Sequence, residues 1–250
     1  MGTLIAAGLT DRARVRPQNQ DRWFADARRG VFIVADGTGG GPAGSVAAQL
    51  VVDALPPLLK RRLAGVSNLN EPAAIPWVKA VLEHLSNRLR AESRGQPGLD
   101  GMGSTVVLAL VRGGQALIAH MGDSRAYLWR DSRLARLTRD HSLIELLLDC
   151  GEITPEQAAK HPSRGQVTRF VGMPEASLPE ARLVSLRPGD RLLLCSDGLT
   201  GMVSDARVLA ILDETPEPSE ACRRLISAAN DAAGKDNITA LVVALARSSA

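Results

Sequence analysis

Aromatic side chains are scarce in this 250-residue chain: three Phe, three Trp and one Tyr, 3% of the sequence. A core must therefore be assembled from Leu, Val, Ile and Ala, and the 45% apolar content is enough for a sizeable soluble domain. Cysteine is also rare. Cys150, Cys195 and Cys222 are odd in number, far apart and without a CxxC pair. That excludes a disulfide framework and zinc spacing, and points to a reducing, cytoplasmic setting. No apolar run approaches the roughly 20 residues that span a bilayer. The apolar part of MGTLIAAGLTDRAR is too short for a signal peptide. Charge of one sign is not in excess either. A formal net charge of +3, with no basic block interleaved with aromatics, gives no footing for a nucleic-acid partner.

Several common chemistries are missing as well. There is no GxSxG elbow and no GxxxxGK[ST] loop, and His84, His120, His141 and His161 show no HExxH or other metal spacing. His84 reads as a surface group on a helix. His141 and His161 read as hydrogen-bonded structural residues in loops.

What is present is a β-rich middle bracketed by helices. Apolar runs predict strands at Thr3–Gly8, Val31–Ala35, Ser104–Val111, Ala116–His120, Ala126–Trp129, Arg182–Leu186, Arg191–Cys195 and Ile238–Leu245. Gly113-Gly114, Arg130-Asp131-Ser132 and Arg187-Pro188-Gly189-Asp190 read as short turns between strands, which favours antiparallel pairing. Helical spacing predicts Ala43–Leu63, bent or broken at Pro56-Pro57, and a second helix with Trp77, Val78, Val81, Leu82, Leu85 and Leu89 on one face. Thr154-Pro155-Glu156-Gln157 is a capping box with proline at the first helical position. A last helical region spans Ser204–Ala233, interrupted at Pro216 and Pro218.

Acids recur at strand ends. Asp36 ends VFIVAD, Asp197 ends RLLLCSD, Asp236 precedes ITALVVAL, and Asp123 follows a further strand in HMGDSR. Any one of these is an ordinary turn residue. Together they suggest a cation site, because ionised carboxylates at the rims of buried strands are costly unless something positive meets them. Oxygen ligands without clustered His or Cys suit Mg²⁺ or Mn²⁺ rather than zinc.

The loop VADGTGGGPAG (34–44) poses the sharpest question. It matches GxGxxG between a strand and a helix, yet the region about 20 residues onward holds Pro56-Pro57 and Lys60-Arg61-Arg62 rather than a second strand and an acid. The nucleotide reading is weak. Glycines that let the backbone turn over a cation-bound Asp36 fit better. Upstream, Arg16 could offer a fork to a phosphate and Asp21 could support a cation's water.

Taken in order, RPQNQD (16–21), VADGTGGGPAG, GMGSTVV (101–107), GDSRAYL (122–128), LTRDHSL (137–143), VTRFVG (167–172), LLLCSDGLTGMV (192–203) and KDNITALVV (235–243) resemble the metal-dependent protein phosphatases of the PPM (type 2C) family, in its compact bacterial form. The resemblance runs from about residue 5 to residue 245. It implies an α+β fold, a four-layer αββα sandwich of two mainly antiparallel sheets flanked by helices, with residues 1–250 as one domain and a flap at about residues 140–172. It implies hydrolysis of phosphoserine and phosphothreonine on proteins, with a Ser/Thr kinase and its targets as substrates. Two Mn²⁺ or Mg²⁺ ions, with a possible third, would serve as cofactors. By the same resemblance Asp36 would bridge two ions and Gly37 would offer its carbonyl to the second. Asp197 and Asp236 would hold the first, Asp123 with Asp197 the third, and Arg16 would grip the phosphoryl group.

Three departures bear on this. Gln20 stands where many relatives have Glu, so support for the second ion's waters would rest on Asp21. Thr38 stands where some have His, leaving protonation of the leaving group to a metal-bound water. Gly201 stands where some carry another acid near the third ion. The competing reading is an impaired pseudophosphatase that binds phosphoproteins. A nucleotide-dependent oxidoreductase rests on GxGxxG alone.

Overall fold

The structure is a computed structural model and describes residues 3–39, 42–63, 69, 72–99, 101–173 and 178–246; Gly40 and Gly41 of the glycine loop lie outside these. Its strands are β1 (Leu4–Asp11), β2 (Asp21–Asp26), β3 (Val31–Thr38), β4 (Gly103–Ser104), β5 (Val106–Arg112), β6 (Gln115–Met121), β7 (Arg125–Arg130), β8 (Arg133–Arg136), β9 (Glu180–Ser185), β10 (Arg191–Cys195) and β11 (Ile238–Leu245). Its helices are α1 (Ala43–Leu63), α2 (Ala74–Ser93), α3 (Leu143–Asp149), α4 (Pro155–Ala158), α5 (Asp197–Thr200), α6 (Asp205–Glu214) and α7 (Pro218–Asp231). One sheet has the order β1-β11-β10-β7-β8; the other runs β2-β3-β5-β6-β9, with β4 beside β3. Every strand pairing is antiparallel.

The side-chain period of two explains why the runs are apolar at every position. In β3, Phe32 and Val34 join the core between the sheets, while Val31, Ile33 and Ala35 join the core under α1 and α2. In β11, Leu241 and Val243 face the other sheet, and Ile238, Ala240 and Val242 face α6 and α7. Three apolar layers thus separate helix, sheet, sheet and helix, giving the αββα sandwich. No helix among the described residues is long and apolar enough to cross a membrane.

The local signals place most elements. Gly113-Gly114 joins β5 to β6, and Asp131-Ser132 joins β7 to β8 with both residues at positive φ (49° and 55°), the geometry of a tight hairpin. The box at Thr154 forms, its hydroxyl accepting from Gln157 N–H while Gln157 reaches back to the Thr154 N–H. Pro218 does not interrupt a helix but opens α7 in its first turn.

Two expectations need correcting. Helix α1 runs unbroken through Pro56-Pro57. The fully buried Leu55 and Leu59 pin it to the core on either side of the pair, and that packing outweighs the loss of two backbone donors. The turn at 187–190 is no hairpin, since β9 and β10 belong to different sheets. Its Asp190, buried, accepts from the Arg187 N–H at 2.7 Å and from Arg130 at 2.8 and 2.6 Å, fastening the crossing. Strand β10 ends at Cys195 as expected, and Asp197 at its rim starts the short helix α5.

Candidate active site

Antiparallel pairing gathers the acids at one end of the sandwich. Asp21 opens β2 directly opposite Asp36 on β3. The end of β10 lies beside the start of β11, with Cys195 opposite Ala240, so Asp197 and Asp236 emerge together. Asp123 sits in the connection by which the chain leaves β6 and enters β7 in the other sheet.

Each Asp-Gly pair brings a second backbone segment close. A Cβ on Gly37 would stand 1.9 Å from the Gly44 carbonyl oxygen at the start of α1, and one on Gly198 would stand 1.9 Å from the carbonyl oxygen of Asn237. The residue after each aspartate must therefore be glycine for the neighbouring segment to pack against it. Packing, rather than phosphate binding, accounts for Gly37 and Gly44.

The electrostatics are those of crowded like charges. Burial first, then the negative charges of Asp21, Asp197, Asp123 and Asp236, push the Asp36 carboxyl well above the usual carboxylate range. Burial and then Asp197 raise Asp123 to about 8. Burial raises Asp21 to about 6 despite hydrogen bonds from Ser196 and Thr239. Burial and then Asp236 raise Asp197. Asp21 Oδ1 and Asp197 Oδ1 are buried with no hydrogen-bond partner. Buried carboxylate oxygens without donors are expensive, and a hard divalent cation is the partner that an all-oxygen set suits. The residues present fit such a cation.

Arg16 is the cation at the rim. Its Nη2 donates to Asp236 Oδ2 at 2.7 Å, and the charges of Asp36 and Asp197 also reach it. Beside the acids lies a cleft of about 310 Å³, lined by Asp123, Arg125 and Asp197 together with Asp140, Leu148, Pro155 and Arg164 from the 140–172 segment. Thr38 is exposed, and Gly201 also lines this cleft.

Several supporting residues carry no signal of their own in the sequence. Asn237, buried, donates to the carbonyls of Arg12 and Gln18 at 2.9 Å each and accepts from the Gln20 N–H at 2.9 Å, tying the Arg16 loop to the start of β11. Ser196 and Thr239 donate to Asp21 Oδ2 at 2.7 Å each. Asp36 is clamped to the junction of β4 and β5, its carbonyl accepting from the Thr105 N–H at 2.8 Å and from the Ser104 hydroxyl at 3.0 Å. Asp140 accepts from Arg125 Nη2 at 2.7 Å. Asn237 follows Asp236 and Ser196 precedes Asp197, so proximity to the acids was the only available clue.

Sequence spacing also misses a histidine cluster. His120 and His141 stack with ring centroids 4.5 Å apart, and Glu180 Oε1 lies 3.3 Å from His141 Nε2. Ligand atoms of the three residues lie within 4.8 Å of one another, a spacing a metal would accept. However, His141 Nδ1 accepts the Gly122 N–H at 3.2 Å, which puts the ring's proton on Nε2, the atom facing Glu180. Arg169 Nη1 meets the same Glu180 oxygen at 3.2 Å. The cluster is a hydrogen-bonded network, in keeping with a structural His141.

That network needs a neutral ring. Burial, then the neighbouring His120, push the His141 pKa down to about 4 from 6.5. Between those values the unfolded chain takes up a proton that the folded one refuses, so this contribution is complete above pH 6.5 and is lost as pH falls towards 4. Up to about 3 kcal/mol is involved. In thermal unfolding, wild type should lose stability relative to His141→Gln as pH drops through this window; parallel curves would refute the assignment.

Fold and site together define a four-layer sandwich protein whose acidic cleft is built for hard cations. The chain belongs to the protein phosphatase 2C family, whose signature matches residues 10–232. It is 38% identical over 238 residues to the serine/threonine protein phosphatase PstP of Mycobacterium tuberculosis, covering 94% of this chain but only 44% of PstP. To the serine/threonine phosphatase stp of Listeria innocua it is 36% identical, covering 94% of this chain and 93% of the relative. A crystal structure of the PstP catalytic domain with two manganese ions matches with a TM-score of 0.83 at 36% identity, covering 98% of this chain and 99% of that one.

Proposed function

We propose that this protein is a protein-serine/threonine phosphatase dependent on Mn²⁺ or Mg²⁺. The observation that carries this is the gathering of Asp21, Asp36, Asp123, Asp197 and Asp236 at one sandwich end, with two buried carboxylate oxygens lacking donors. Family membership and the manganese-bound PstP domain support it. Asp36 would lie between two ions, with the Gly37 carbonyl on the second and Asp197 and Asp236 on the first. Asp123 and Asp197 would share a third, more weakly held because Gly201 adds no acid. When bound, the ions supply a water of lowered pKa and neutralise charge on the phosphoryl oxygens.

The chain's own groups do the rest. Asp21, fixed through one oxygen by Ser196 and Thr239, presents the other to orient water near Asp36. Arg16 exchanges part of its contact with Asp236 for a fork to the phosphoryl oxygens. The 140–172 segment acts as the flap beside the phosphopeptide. Phosphorylated proteins, including a Ser/Thr kinase and its targets, are the substrates. Asp36, Asp197 and Asp236 are all present, which argues against the non-catalytic reading.

Phosphate release from a phosphothreonine peptide should require added Mn²⁺ or Mg²⁺. No release with either ion overturns the proposal. Arg16→Ala should raise KM about tenfold, about 1.4 kcal/mol of binding, with ion affinity unchanged by calorimetry. Loss of the ion instead would assign Arg16 to holding Asp236.

A further inference from the structure

Away from the acidic end, exposed Pro57 forms a ridge between two hollows beside α1. One, about 480 Å³, is floored by Phe24, Val31, Pro56 and Pro57, with Lys60 and Arg112 on its rim. Its single acid, Asp26, is already engaged by Arg29. The other, about 260 Å³, is floored by Leu50, Ala54 and Leu58 with Arg61 at its edge. Asp53 on that edge accepts from Gln49, and Arg88 is paired with Glu92. Lys60 and Arg61 are exposed and make no hydrogen bond or ion pair among the described residues. Lys60 thus brings unpaired positive charge to the larger hollow, while Arg61 shares the edge of the smaller one with the Asp53 carboxylate, whose bond from the neutral Gln49 amide leaves its charge in place.

We propose that this groove docks an acidic segment of a protein substrate, apolar side chains filling the hollows on either side of Pro57 and carboxylates meeting Lys60 and Arg61. The proposal rests on the phosphatase reading, since it supplies a second contact for the same substrate. The two sites share a strand: Val31 lines the hollow and Asp36 the catalytic end, roughly 17 Å apart along β3 at about 3.3 Å per residue. Docking at that distance raises the local concentration of the phosphoresidue without altering the chemistry. An anionic bilayer would meet the same cations. Concave hollows divided by a ridge fit protruding side chains better than a flat surface.

The test uses a dye-labelled, unphosphorylated peptide of Asp and Glu interspersed with Leu and Phe, with binding read by fluorescence anisotropy. Lys60→Glu/Arg61→Glu should weaken binding at least tenfold, as should replacing the peptide's Leu and Phe with Ser. Hydrolysis of p-nitrophenyl phosphate should be equal in both proteins. Appended to a phosphothreonine peptide through a linker of about fifteen residues, long enough to round the surface, the segment should lower KM several-fold in wild type alone, with kcat unchanged. Equal peptide affinity for the two proteins overturns the proposal. So does a variant that loses only binding to phosphatidylserine vesicles. An anisotropy difference without p-nitrophenyl phosphate hydrolysis upholds the groove and overturns the phosphatase reading.

Discussion

Replacing Asp197 by Asn lowers turnover on a phosphothreonine peptide by about three orders of magnitude, and at the same time raises the melting temperature in chelator. Both effects come from one charge. Burial first, and then the negative charge of Asp236, hold the Asp197 carboxyl above its ordinary pKa, and its Oδ1 has no donor. Asn keeps the shape and removes the negative charge, so the crowded acids repel one another less. The same deletion removes a cation ligand, and electrostatic stabilisation of a phosphoryl transition state is worth several kcal/mol. Opposite signs in stability and activity mark charge retained for function at the expense of the fold. Retention of more than a tenth of the turnover, or a lower melting temperature in chelator, would remove Asp197 from the centre.

Adding Mn²⁺ to chelator-treated protein raises its melting temperature by roughly 5–10 °C. Ligand at 100 times its Kd contributes about 2.7 kcal/mol, and each kcal/mol shifts a chain of this size by about 2–4 °C. The shift should grow with pH. Carboxyls raised in the folded state favour it most below their unfolded pKa near 3.8, and that support is lost as pH rises through about 6 for Asp21 and about 8 for Asp123. A cation is therefore needed most at neutral to alkaline pH. Asp36→Asn should abolish the shift. A melting curve indifferent to Mn²⁺ in wild type would mean that the acids hold no ion.

Much of this was legible in particular residues. Unbroken apolar runs such as VFIVA and ITALVV marked strands covered on both faces, and Asp131-Ser132 marked a hairpin through its turn chemistry. The acids were legible because each stands at the rim of such a run. Other features were not. Pro56-Pro57 announced a bend or a break, but a helix pinned by Leu55 and Leu59 does not break there. The turn at 187–190 looked like the other turns, although it carries the chain from one sheet to the other. Asn237 and the His120–His141–Glu180 network gave no spacing signal because their partners are remote in sequence.

By itself the sequence determined the short-range facts: which segments are extended or helical, where the tight turns fall, and which acids stand at strand ends. These depend on backbone preference and on side-chain periods of 2 and 3.6, which act over a few residues. Only the tertiary structure decided which strand ends share one rim, that Arg16 meets Asp236, and that Lys60 and Arg61 flank apolar hollows. Those outcomes depend on which apolar faces bury one another, and burial is settled by the whole chain at once.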